Sequence, residues 1–111
     1  MTAIRVVWLA SAALVWADGV LDGTVAAELH EAMDTLVAGG PETVVLDLSG
    51  VLAVDDGGVA VLAAAAARLS HAGVALELRL PGQRALTVAD AGTLRDVLSA
   101  AYPTVGPASS D

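Results

Sequence analysis

One short segment narrows the folding choices of this chain most. Thr43 to Leu48 reads TVVLDL, with Gly39-Gly40-Pro41 before it and Ser49-Gly50 after it. A six-residue apolar run with β-branched residues, fenced by turn signals, suits a strand buried inside a sheet. Helical patterns lie on both sides of it. Val25, Leu29, Met33, Leu36 and Val37 recur at helical spacing, with Glu28, Glu31 and Asp34 off that stripe. This predicts an amphipathic helix from Thr24 to about Ala38, capped by Thr24 and ended by Gly39-Gly40-Pro41. Val59 to Ala72 is Ala-rich, Val59, Leu62 and Leu69 mark one face, and Gly73 stands where a left-handed cap would follow. A buried strand between two helices calls for right-handed crossovers.

The remaining segments fit around that unit. Val6-Val7-Trp8 and Leu14-Val15-Trp16 read as two short strands with a turn near Ala10 to Ala12. Asp18-Gly19 reads as a turn. Val51 to Val54 is a further apolar piece leading into Asp55-Asp56-Gly57-Gly58. Val74, Leu76, Leu78 and Leu80 alternate with Ala75, Glu77 and Arg79, the mark of a strand with one wet face. Pro81-Gly82 turns the chain. Gln83 to Ala91 reads as a short helix stopped by Gly92, and Leu94 to Ala101 is open between helix and strand. The sum is an α/β domain over residues 1–102: a mixed sheet of about four to five strands, with about three to four helices mainly on one face. Residues 103–111 read as a flexible tail.

Composition excludes several functions. The 111 residues carry a formal charge of −8, no cysteine, and five cationic side chains that are all arginine. That balance opposes nucleic acid or an anionic membrane surface as partner. Missing lysine removes Schiff-base and P-loop mechanisms, and missing cysteine removes thiolate chemistry. Mean hydropathy of +0.70 raises the membrane question. The run Val6 to Ala17 is 12 residues long, too short to span. It can be read as a secretory signal with Arg5 before it, or as the two strands above. The strands have a place in the fold, so a cytoplasmic domain with no direct membrane insertion is expected.

The order of these pieces resembles the STAS domain of bacterial anti-sigma factor antagonists, over about Ile4 to Leu98. Gly19-Val20-Leu21-Asp22 matches the family's turn before its first helix. Val44 to Ser49 match its Val-x-Leu-Asp-Leu-Ser strand. Asp55 to Leu62 match its Asp-Ser-Ser-Gly or Asp-Ser-Thr-Gly loop with the aliphatic helix that follows, and Gly73 and Ala91-Gly92-Thr93-Leu94 continue the pattern. Two departures stand out. The family's phosphorylated serine falls on Asp56, and the next hydroxyl residue falls on Gly57. The chain ends soon after Tyr102, so the family's C-terminal helix is expected to be absent or very short.

The resemblance implies a non-enzymatic interaction module in bacterial signalling and transcription regulation. Its docking surface would be Asp55, Asp56, Gly57, Gly58, Val59 and Leu62, and its partner an anti-sigma factor or serine kinase. Phosphorylation adds roughly −1.5 to −2 charge at this helix start in the family, whereas Asp56 supplies a permanent charge. Asp56 can act as a helix N-cap as well, Asp55 as a second capping or turn carboxylate, and the glycines as permissive backbone for a tight turn. The alternative is a STAS subunit of a lipid-transport ABC complex that binds its ATPase. No catalytic residue, metal site or cofactor is expected; His30 and His71 read as structural. Ala63 to Ala67 offer a smooth helix surface for docking or packing, Trp8 and Trp16 are expected at the sheet ends, and Asp47 near a strand end or hydrogen-bonded. The oligomeric state is left open, with a homodimer possible.

Overall fold

The apolar segments around TVVLDL pair side by side. In the computed structural model, which describes residues 3–82, 84–88 and 90–102, nine elements follow one another. They are β1 (Ala3–Leu9), β2 (Ala12–Leu21), a 3-10 turn (Gly23–Val25), α1 (Ala26–Gly39), β3 (Thr43–Val54), α2 (Asp56–His71), β4 (Ala75–Leu80), β5 (Arg84–Val88) and α3 (Ala91–Ala101). The five strands form one sheet in chain order. The three central strands β2, β3 and β4 run parallel, and β1 and β5 close the edges antiparallel.

The register sorts side chains onto two faces. Val15 pairs with Leu46 and Leu46 with Leu78; Ala13 pairs with Val44 and Val44 with Leu76. All six are buried beneath the helices. From above, α1 supplies Leu29, Met33 and Leu36, α2 supplies Leu62 and Leu69, and α3 supplies Leu94 and Leu98. Each such leucine stabilises the fold by roughly 1.5–3 kcal/mol through burial. The alanines of α2 contribute closeness: Ala63, Ala65 and Ala66 are buried and only Ala64 of that stretch is exposed, save the half-buried Ala67. Most of the smooth surface expected there is therefore spent inside the fold. Arg68 of α2 reaches back to Asp34 of α1 at 2.5 Å, which lowers the pKa of Asp34 chiefly through that hydrogen bond.

Several local expectations need correction. The segment expected as a helix from Gln83 to Ala91 contains β5, because Leu86 and Val88 meet Leu78 and Leu76 across a hairpin. Gly82, at φ 85°, turns that hairpin. A single two-residue repeat becomes decisive only with the partner strand beside it. Leu94 to Ala101 belongs to α3, an 11-residue helix, so a helix does follow the last strand. Asp90 caps it, its Oδ1 accepting from the Thr93 N–H at 2.7 Å, and that bond is the main cause of its lowered pKa. Leu94 and Leu98, one turn apart, are both fully buried, and Tyr102 donates its hydroxyl to the Leu48 carbonyl at 3.0 Å.

Ahead of α1, Asp22 caps the 3-10 turn, and α1 itself, with Val25 at its N-cap, has neither Thr24 nor any other side-chain cap. Asp22 accepts from the Thr24 N–H at 2.9 Å and from the Thr24 hydroxyl, and α1 begins only at Ala26. The Thr24 hydroxyl is the leading cause of the lowered Asp22 pKa. Asp18-Gly19 lies within β2, with Gly19 at φ 86°, instead of ending a strand. Val51 to Val54 continue β3 rather than forming a separate piece. Gly73 is left-handed as expected, at φ 76°. The tail, 103–111, lies outside the described residues. No helix among the described residues is long and apolar enough to cross a membrane.

Candidate functional site

The carboxyl ends of β2 and β3 and the start of α2 converge at one end of the sheet. Their geometry begins with two irregularities in the β2–β3 ladder. Trp16 pairs with Asp47 but Asp18 with Gly50, and Gly19 pairs with Val51 but Val20 with Ala53. At each step β3 spends one residue more than β2. The second extra residue is Leu52. A bulge leaves its extra residue unpaired and re-aims the side chain. Leu52 is accordingly 81% exposed, the most exposed large hydrophobic residue among those described, and Val20 across the ladder is 42% exposed.

The loop after β3 is tied to the same strand ends. The Asp55 N–H donates to the Leu21 carbonyl at 3.1 Å, and its own carbonyl accepts from the Val59 N–H at 2.9 Å. Its side chain caps α2, Oδ1 accepting from the Gly58 N–H at 2.8 Å. The cap is thus Asp55, and Asp56 is the first helical residue, not the N-cap. Asp56 is exposed in the first turn, where a carboxylate faces the positive end of the helix dipole.

The two glycines are required for space rather than for permissive backbone. Neither has a positive φ among the glycines that do. A Cβ on Gly58 would collide with the Leu21 carbonyl oxygen and stand 2.8 Å from its carbon and 3.0 Å from Val54 Cγ1. A Cβ on Gly57 would lie 2.9 Å from the Gly23 nitrogen. A hydroxyl residue at Gly57 would therefore have to displace the 3-10 turn.

The expected site residues divide by burial. Asp55 and Asp56 are exposed, and Gly57 and Val59 are half-buried. Gly58 is buried against β2, and Leu62 is only 2% exposed, facing the core. Leu52 and Val20, absent from the expected set, join the exposed group. Both lie in ordinary-looking strand sequence, and only the ladder shift distinguishes them. Elsewhere, Trp8 lies on edge strand β1 with its ring against Gly39, whereas Trp16 lies inside the sheet and donates to Asp47 at 3.1 Å. Burial alone would raise the Asp47 pKa, but hydrogen bonds from the Ser49 hydroxyl and N–H and from Trp16 bring it below the usual value. His30 stands 3.9 Å from Asp34 on an exposed helix face, and His71 is exposed in the last turn of α2. Among the described residues no group of three His, Asp or Glu is placed to hold a metal.

Comparison with known proteins places this geometry. Among solved structures, Mglu matches with a TM-score of 0.63 and 30% identity over 69% of this chain, which spans 19% of Mglu. The unphosphorylated anti-sigma factor antagonist SpoIIAA matches with a TM-score of 0.60 and 16% identity, covering 71% of this chain and 74% of that one. An anti-sigma factor antagonist from Mycobacterium paratuberculosis matches with a TM-score of 0.58 and 23% identity, covering 95% and 88%. The two antagonists share the fold. Comparison with curated proteins gave no match. The family profile described as "Mlab, STAS domain" matches residues 4–101, nearly the whole chain, and the chain belongs to the STAS domain family.

Proposed function

We propose that this chain is a non-enzymatic interaction module of the anti-sigma factor antagonist kind. It docks a protein partner, an anti-sigma factor or serine kinase, in the cytoplasm through the Asp55–Gly58 loop and the start of α2. The observation that supports this reading is the exposed pair at the strand ends to which that loop is tied: Leu52 at 81% and Val20 at 42% exposure, with exposed Asp56 opening α2. Burying one large aliphatic side chain in a partner contributes roughly 1.5–3 kcal/mol.

The surface cannot be switched by serine phosphorylation in this loop, because Asp55 to Gly58 contain no hydroxyl. Asp56 holds one permanent negative charge at the helix start instead. The same missing hydroxyl favours a second reading, the STAS subunit of a lipid-transport ABC complex, in which an ATPase would occupy this surface without a switch.

Asp56→Ser tests the first reading. Incubated with a serine kinase of an anti-sigma system and ATP, the variant gains one phosphate by intact-mass measurement, and the parent chain gains none. A variant that stays unmodified in the presence of kinases that phosphorylate their own antagonists counts against a retained kinase-docking surface.

A further inference from the structure

The five-stranded sheet has a second face, and no described element packs on it. Two rows of side chains cross its middle, with Leu9, Ala12, Thr43 and Ala75 beyond the second of them. Arg5, Trp16, Asp47, Arg79 and Ala85 make one row, and Val7, Leu14, Val45, Glu77 and Thr87 make the other. We propose that this face is the interface of a symmetric homodimer, a second copy of the chain packed sheet on sheet. The inference does not rest on the docking loop, although Val20 lies on this face of β2, beyond Asp18.

Three observations support a second copy. Parallel strands are ordinarily covered on both faces, and here β2, β3 and β4 are parallel with helices on one side only. Apolar side chains flank Asp47 at the middle of the bare face: Leu14, Val45 and the indole of Trp16 are half-buried, and Val7 at the edge is 37% exposed. The charges also suit a copy of the same molecule. The whole chain has thirteen acidic and five basic side chains, so two copies repel. On this face, Arg79 pairs with Glu77 and acts on Asp47, and Arg5 lies near Asp18 at the rim, so two cationic side chains face three acidic ones and the local balance is close to neutral.

The rows are self-complementary about a two-fold axis that crosses the strands between them. Such an axis sets each row over the other row of the second copy. Trp16 then lies over Leu14, the stem of Arg5 over Val7, and Arg79 over Glu77. The Arg79–Glu77 pair within each chain, 3.4 Å apart, becomes part of a four-membered ring of alternating charge. Asp47 brings its hydrogen bonds from Trp16 and Ser49 with it and is not left bare. The face is about 20 Å wide at about 4.8 Å per strand, small for a permanent dimer, so a monomer–dimer equilibrium that shifts with concentration is expected.

Light scattering after size exclusion, on the full chain over a concentration series, tests this. The mass is expected to rise from the 11.0 kDa of one chain towards twice that value as concentration increases. Leu14→Glu should hold the mass at one chain throughout, with an unchanged far-ultraviolet circular dichroism spectrum. Arg79→Glu should weaken association at least about tenfold, and the double exchange Arg79→Glu with Glu77→Arg should recover it, since close charge pairs couple across interfaces. A mass of one chain at every concentration overturns the proposal. So does a dimer that survives both Leu14→Glu and Arg79→Glu, which would place self-association on another surface.

Discussion

Replacing Gly58 by alanine lowers the stability of the fold by about 2–4 kcal/mol. On an isolated helix the same change would stabilise, by roughly 1 kcal/mol, because alanine is the better helix former. Here the added methyl meets the backbone of Leu21, which cannot swing aside as a flexible side chain would. That carbonyl also accepts the Asp55 N–H, so moving it weakens the bond that seats the loop. Overpacking against a fixed neighbour costs about 1–3 kcal/mol, occasionally more, and the strained hydrogen bond adds to it. In thermal unfolding the midpoint should fall by about 4 °C or more per kcal/mol for a domain of this size. Gly57→Ala should cost less, because its Cβ meets a three-residue 3-10 turn that has room to shift. A Gly58→Ala midpoint equal to the parent's would mean that α2 does not sit against β2 as described.

Leu62→Ala separates stability from docking. Leu62 follows the loop by one helical turn and belongs to the surface that the family resemblance implies. Its side chain is 2% exposed and lies in the core between α2 and the sheet. Truncating a buried leucine costs about 2–5 kcal/mol, the spread depending on how far the cavity collapses. Chemical denaturation should show that loss, while the folded fraction keeps its partner affinity. Leu52→Ala should do the reverse, because Leu52 gives up almost no native contact. If Leu62→Ala left stability within about 0.5 kcal/mol, as exposed positions do, its placement in the core would be wrong.

These two leucines show what was legible beforehand. The central strand, both long helices and the alternating strand Ala75–Leu80 announce themselves, because each carries a period that a single chain segment displays alone. Strand β5 does not. Arg84 to Val88 has only five residues, and Leu86-Thr87-Val88 gives a single repeat of the strand period, too short to outweigh the Gly92 stop that follows. The cap moved from Asp56 to Asp55 for a similar reason: two adjacent aspartates compete for one helix start, and only the tether from Asp55 to Leu21 decides between them. Leu52 was least visible of all. Its exposure comes from a mismatch in pairing between β2 and β3, a property of two strands that neither segment encodes separately.

If a protein partner docks beside Asp56 at the Leu52 bulge, position 52 lies within crosslinking reach of it. The direct measurement places a photo-crosslinking residue at position 52 of the full chain, with a control at Glu28 on the outer face of α1, and identifies captured proteins by mass spectrometry. Position 52 should capture an anti-sigma factor or its serine kinase, Glu28 should not, and Asp56→Arg should reduce the yield to the Glu28 background. Equal capture at the two positions, or capture of an ABC ATPase alone at position 52, would rule out an anti-sigma factor or its kinase at this surface.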